Sequence, residues 1–451
     1  MTKTIPKCHL ALVALVLLAS CARSPTPVPA PTPAADIAVL AGAFLQAIDN
    51  GDWSAAIQSS DANMKMLLPP EKLRSVWDSL SNQFGPLRRF GATRIEKAGA
   101  YDSVYVVCEF ENAVLDAKVV FDSQKRVSGL WFVPHQNDDY HPPPYVSAAS
   151  FRDEDTTVGS GASSLPVTLS IPDGQDLLPA VVLVHGSGPN DRDETVGACK
   201  PFRDLAWGLA SQGIAVLRYD KRTRVFPQEM AALQQTLTVA EEVIADAVAA
   251  VTALRNNPII NPARVFVLGH SLGGSLAPRI AAAYPSVAGL VIMAGATRPL
   301  EDLVLDQTLY LAELDGSISS AEQLDLNSIK LQVQAVKDAN LSAESAPDGL
   351  LGAPAAYWLD LREYRPAEAA AALDHPLLVL QGERDYQVTL QDYDGWRKAL
   401  EGRANAAFQL FSGLNHLFVA GEGKSTPAEY DLAGHVDQEV VNTIATWIHE
   451  H

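Results

Sequence analysis

The sequence predicts an α/β protein, a mostly parallel sheet with helices on both faces and a helical cap insertion, preceded by a small N-terminal α+β domain. Three observations carry this. From Pro179 onward, "PAVVLVHG", "IAVLRYD", "RVFVLGH" and "AGLVIMAG" alternate with helical segments near 202–212, near 239–255 and after Ser271. Strands apolar at nearly every position are buried on both faces, as in a parallel sheet covered by helices. Between about 297 and 374 the alternation breaks into a helical, acidic, alanine-rich stretch, and "HPLLVLQGERD", "AAFQLFSGLNH" and a last helix then resume it. An insertion of that size inside a sheet domain is most simply a cap over the edge where open α/β sheets bind ligands. Ahead of Ser150 the periods differ: Ile37, Leu40, Phe44, Leu45 and Ile48 recur at helical spacing, as do Leu73, Val76, Trp77, Leu80 and Phe84 beyond Pro69 and Pro70. Val104, Val106, Cys108 and Phe110 then alternate, followed by Leu115, Ala117, Val119 and Phe121, with turns at "FENA" and "FDSQKR".

The expected organisation is a leader at 1–20, a tether at 21–35, the α+β domain at 36–134, a linker at 135–149 containing "HPPPY", and the α/β domain at 150–451 with its cap at about 297–374. A chain of 451 residues is long enough for two folded units. In the leader, Lys3 and Lys7 precede an apolar run from Leu10 to Ala19 that is about half the ~20 residues a membrane span needs, so it reads as a secretory signal. It ends in "LASC", which resembles a bacterial lipoprotein cleavage box and implies lipidation of Cys21. The proline-rich "ARSPTPVPAPTPA" that follows cannot pack as helix or sheet and reads as a stiff spacer. The expectation is an exported lipoprotein on the periplasmic or cell-surface side of a membrane. A net charge of −19 opposes binding to nucleic acid phosphates. Cys108 and Cys199 fall in different domains; two buried free thiols are the simpler expectation, and a disulfide between them is the alternative that sequence alone leaves open. His135 and His141 flank the linker with no ligand partner nearby and read as solvent-exposed.

The chemistry concentrates in Gly269-His270-Ser271-Leu272-Gly273, a G-x-S-x-G pattern placed after an apolar strand and before a helix. Such a turn holds a serine in a strained conformation, and its glycines let the flanking backbone close without a clash. A serine hydroxyl needs a base to become a nucleophile. His416, directly after the last apolar strand in "SGLNHLF", is the candidate; His270 adjoins the serine and would point away, and His185 belongs to another motif. The orienting acid is expected between serine and histidine in the chain. Asp385 in "QGERDYQV" is chosen over Glu383, its one serious rival, and over Asp374, which precedes the strand. For the oxyanion, the Leu272 N–H and an N–H of "HGSGPNDRDE" are expected, with Ser187 ahead of Gly188. In the same loop, Asp191 to Asp193 would order the backbone, face substrate or simply be solvated. No paired histidines at ligand spacing, CxxC, P-loop or dinucleotide fingerprint occurs, so no metal or cofactor is expected.

On these motifs, Leu183 to His416 resembles the α/β-hydrolase superfamily; "LVHGSGPNDRDE", "LRYDKR" and "LGHSLGG" are similar to exported esterases near the serine aminopeptidase and acyl-thioesterase branches. The small domain is similar to the cystatin-like or nuclear-transport-factor-like units that precede hydrolases in some exported proteins. The resemblance implies a serine hydrolase of the carboxylesterase kind with Ser271, Asp385 and His416 as triad and Ser187 and Leu272 as oxyanion hole. One departure is "DKRTRVF", which lacks a glycine expected after Arg222. The implied partner is a small acyl ester, with a short peptide (aminopeptidase) or a thioester as alternatives. An aminopeptidase would need an acid for the substrate amine, for which Glu363 or Asp360 could serve. Tyr357 and Trp358 in "AAYWLDLREY" would form either substrate pocket or cap core. A binding lipoprotein with a retired hydrolase domain is the reading from a different class.

Overall fold

A computed structural model describes residues 35–451 apart from 99–100, 136–139, 160, 175–176, 234 and 347–348. The leader, Cys21 and the tether therefore lie outside the described residues. In the N-terminal unit, helices Ala35–Asp49, Trp53–Gln58, Ala62–Leu67 and Pro70–Phe84 cover one face of an antiparallel sheet in the order β1 (Leu87–Ala98), β2 (Tyr101–Phe110), β3 (Val114–Phe121), β4 (Val127–Pro134). The alternating residues of β2 and β3 point inward to meet Leu45, Ile48, Leu73 and Trp77 in a core of their own. The two six-residue helices are too short to show a helical period in sequence; Asp52 and Asp61 cap them, each accepting a backbone N–H from three residues on.

His135 is a correction: it is half-buried, with Nδ1 2.7 Å from the buried Asp116 carboxylate, whereas His141 is exposed. The described part of the linker beyond His135 is pinned from Tyr140 on. Tyr140 donates to the buried Asp204 at 2.6 Å and Tyr145 to the Val436 carbonyl at 2.7 Å. Cys108 and Cys199 are buried free thiols, and burial pushes their pKa up to about 12 and about 11.

The second sheet has eight strands. Its order is β12 (Ala406–Phe411), β11 (Leu377–Gly382), β10 (Leu290–Met293), β9 (Ile260–His270), β7 (Leu178–Val184), β8 (Ala215–Tyr219), β6 (Leu165–Pro172), β5 (Phe151–Val158). β5 and β6 form an antiparallel hairpin that joins β8, and the remaining pairs are parallel. The hairpin has no counterpart in the sequence reading, because the solvent-facing β5, "FRDEDTTV", is largely exposed and carries no buried-strand signal. Register fixes where chemistry can occur: Val184 lies beside Gly269 and His270 beside Met293, so the loops leaving β7, β9 and β10 emerge together at one sheet edge. Between β10 and β11, helices Leu300–Ala312, Ser320–Lys337, Ala355–Arg362 and Pro366–Ala371 form the cap. The cap has a small core of Val336, Leu341, Ala355 and Trp358, and Asp360 ties it to Arg279 of the helix Leu272–Ala283 through two bonds of 2.9 and 3.0 Å. The glycine-free "DKRTRVF" closes as a short helix, Arg222–Val225. Among the described residues no helix is long and apolar enough to cross a membrane.

Candidate active site

Ser271 sits between β9 and the helix Leu272–Ala283 with φ 54° and ψ −117°, a conformation that a residue with a Cβ avoids. The surrounding glycines show why it can persist. A Cβ on Gly269 would stand 2.2 Å from the Gly273 carbonyl oxygen, and one on Gly273 would stand 2.3 Å from that of Val184. The Ser271 N–H is held by the Met293 carbonyl at 2.9 Å. The next residue, Leu272, opens the helix, so its N–H is among those with no partner inside the helix.

His416 and Asp385 meet with Nδ1 and Oδ2 2.7 Å apart and both side chains almost wholly buried. Asp385 is itself fixed: Oδ1 accepts the Gln387 and Val388 N–H groups at 2.8 and 3.0 Å, and Oδ2 takes Gln381 Nε2 at 3.1 Å. Glu383 instead accepts the Ser412 hydroxyl at the exposed surface, and Asp374 is exposed ahead of β11. The His416 loop is shaped by Asn415, whose Oδ1 accepts the N–H groups of Leu417 and Val419 at 3.0 and 3.1 Å. The structure thus brings Ser271, His416, Ser187 and Leu272 to the wall of one cavity of about 290 Å³, with Asp385 behind the histidine.

The loop after β7 is ordered by its own charges. Asp191 accepts the N–H groups of Asp193 and Thr195, Arg192 makes two bonds of 3.2 and 2.8 Å to Asp220, and Asp193 pairs with Arg218 and Arg203. Of the three readings of "DRD", the ordering one holds: its side chains are engaged within the protein rather than merely solvated, and none of the three lines the cavity.

Two buried pairs beneath the site escaped the sequence reading. Glu194, held at φ 50°, accepts the Gly186 N–H at 2.6 Å and lies 3.0 Å from His270 Nδ1. His270 turns its Nε2 to the His416 carbonyl at 2.9 Å. Burial opposes charge on both partners and is the largest single influence, yet the partner's charge and hydrogen bond, joined by the Gly186 N–H on one side and the His416 carbonyl on the other, together outweigh it: Glu194 is held below the usual carboxylate range and His270 is raised. By contrast His185, packed between Phe202 and Tyr219, is pushed down to about 4 by burial and stays neutral. The second pair is Lys221 with Glu242, at 2.7 Å. A signal for both existed in "DRDE", "DKR" and "GHS", but a charge in a motif does not reveal its partner.

The rest of the wall is mainly apolar, from Leu276, Leu300, Leu303, Val304 and Leu361, with Tyr364 among the polar contributors. "AAYWLDLREY" is therefore divided: Leu361 and Tyr364 reach the cavity, while Tyr357 and Trp358 are packed in core. Asp360, engaged by Arg279, and Glu363 do not line it, so neither stands where an aminopeptidase would need its acid. Arg298 does line it, with its guanidinium bound to the fully buried Asp392 and to Asp306. Among the described residues no cluster of His, Cys, Asp and Glu could hold a metal ion.

Comparison with known proteins places this geometry in a family. The family described as serine aminopeptidase, S33, matches residues 177–422, and a family of unknown function, DUF3887, matches residues 41–130. Esterase EstD of Thermotoga maritima is 40% identical over 407 residues, which is 90% of this chain and 93% of that protein. Among solved structures, an esterase from Pyrobaculum calidifontis is 19% identical with a TM-score of 0.42, covering 66% of this chain and 85% of its own. A puromycin-hydrolyzing peptidase from Mycobacterium tuberculosis is also 19% identical with a TM-score of 0.44, covering 81% of this chain and 48% of its own. The chain belongs to the serine aminopeptidase S33 family of α/β-hydrolases and carries an N-terminal DUF3887 domain.

Proposed function

We propose that this protein is an exported, lipid-anchored serine hydrolase that cleaves carboxylic esters through an acyl-enzyme on Ser271. The observation that carries the ester reading is the cavity wall: it is mainly apolar, and its one carboxylate among the described residues is Glu194, already engaged by Gly186 and His270. A substrate ammonium would find no free acid there, whereas an acyl or alkoxy chain would find leucines. The 40% identity to an esterase over nearly the whole chain supports the same choice.

In this reading His416, held in tautomer and orientation by Asp385, takes the Ser271 proton as Oγ attacks the carbonyl carbon. The Leu272 and Ser187 N–H groups receive the charge that forms on the carbonyl oxygen. His416 then returns the proton to the leaving alcohol, and water, deprotonated by the same histidine, releases the acid. Anchoring rests on the Lys3 and Lys7 region, the apolar run and the "LASC" box, with the proline-rich stretch holding the enzyme off the lipid.

Matched p-nitrophenyl esters and aminoacyl p-nitroanilides test the substrate class. The reading expects higher kcat/KM on the esters and no gain from a free amino group. Faster turnover of the anilides, dependent on that amine, would replace it with the aminopeptidase.

A further inference from the structure

The peptide between Gly186 and Ser187 presents two groups in opposite directions, because a planar trans amide points its C=O away from its N–H. Its N–H belongs to Ser187, the oxyanion donor of the ester-hydrolase reading. Its C=O belongs to Gly186, and whatever grips that oxygen sets the aim of the N–H. Two side chains grip it: Lys221 Nζ at 2.9 Å and Asn190 Nδ2 at 3.3 Å. On the other side of Gly186, Glu194 accepts the Gly186 N–H at 2.6 Å, so the peptides flanking this residue are both held.

Lys221 is 2% exposed, and the cavity wall does not include it. A buried ammonium is costly unless well paired, so its position calls for a reason. Glu242 supplies the counter-charge at 2.7 Å, leaving the ammonium free to donate to the Gly186 oxygen. Glu242 also contacts the cap: burial, followed by the charge and hydrogen bond of Glu242, pushes the Tyr357 hydroxyl pKa well above its ordinary value. The main chain reinforces the arrangement, with the Lys221 N–H donating to the Asn190 carbonyl at 3.0 Å.

We infer that Lys221 is a positioning residue of the oxyanion hole: seated on Glu242, it fixes the Gly186–Ser187 peptide with the Ser187 N–H toward the cavity. A cation at the carbonyl end also polarises the amide, so the N–H donates more strongly as the oxyanion forms. This assignment rests on the ester-hydrolase reading and deepens it.

The test compares wild type, Ser271→Ala, Lys221→Met and Asn190→Ala in hydrolysis of p-nitrophenyl acetate. It also measures inhibition by an aryl trifluoromethyl ketone, whose tetrahedral serine adduct needs the oxyanion hole. Lys221→Met is expected to lower kcat by about 10- to 100-fold, part of the loss that removing a whole donor causes. KM should stay within about twofold, since the interaction is made in the transition state. Inhibition by the ketone should weaken by the same factor as kcat. Asn190→Ala should move both quantities in the same direction by about 3- to 10-fold, because the ammonium still holds the peptide. Lys221→Met decides wherever it folds, and Lys221→Gln, which keeps a polar end but not the charge, decides if it does not; Asn190→Ala checks that the Gly186 carbonyl grip matters at all. Unchanged kcat, or a lower kcat with unchanged ketone inhibition, overturns the assignment. A wild type inactive on esters, or activity that survives Ser271→Ala, would instead overturn the ester-hydrolase reading itself.

Discussion

At the scale of single residues, the site depends on side chains whose second job is structural. Asp385 orients His416 with one oxygen while the other receives two backbone N–H groups. Asp385→Asn keeps an acceptor for those N–H groups but presents the wrong group to the imidazole. It is expected to lower kcat by about 10⁴ with little change in Tm, measured by ester turnover beside a thermal melt. Gly273 has the opposite profile, since its Cα faces the Val184 carbonyl. Gly273→Ala should therefore cost about 1–3 kcal/mol of stability, read as a lower urea midpoint, because backbone must shift to admit a methyl group. These positions were legible in the sequence, since a G-x-S-x-G turn states its steric needs and a histidine or aspartate just after an apolar strand states its location. Glu194, His270 and Lys221 were not, because a buried ion pair is made by residues distant in sequence, and neither partner names the other.

At the scale of elements, three loops are joined under the serine: the Glu194–His270 pair connects the loop after β7, the turn after β9 and the His416 carbonyl. The raised His270 pKa means that its contribution to stability is complete below its ordinary value of 6.5 and is lost as pH rises through the folded value. The lowered Glu194 pKa gives the reverse: its contribution is present above 4.5 and lost as pH falls through the folded value. Wild type should therefore exceed Glu194→Gln in Tm most between those two pH values, with the gap narrowing toward alkaline pH. A gap independent of pH would show that the pair is not ionised. The cap shapes the cavity through Val304 and its neighbours on the helix Leu300–Ala312. Val304→Trp should spare acetyl esters and shift the optimum of a graded acyl series to shorter chains. An unchanged optimum would mean that the chain lies elsewhere. Strands buried on both faces were easy to find in sequence. The β5 and β6 hairpin and the six-residue helices were not, since one has an exposed edge and the others span too few turns to show a period.

Across the whole molecule there are two separate cores, one against the four-stranded sheet and the other on both faces of the eight-stranded sheet. The period change near Ser150 made that division readable, because α+β and α/β units bury their strands differently. The docking of the linker was not readable, since Tyr140 and Tyr145 find their partners at Asp204 and Val436, far along the chain. The proposed anchor belongs to this scale as well. Cys21→Ser should move the protein from the membrane fraction to the soluble exported fraction without changing kcat on a soluble ester. Persistence of the variant in the membrane would argue against lipidation at that residue.

Whether the strained Ser271 attacks an ester carbonyl is decided by a single comparison. Purified wild type and Ser271→Ala are assayed on a series of p-nitrophenyl acyl esters, with matched thermal melts to show that both are folded. Turnover by wild type and its loss in the folded variant are expected. Equal turnover by the two, or none by wild type on any chain length, would contradict attack by Ser271.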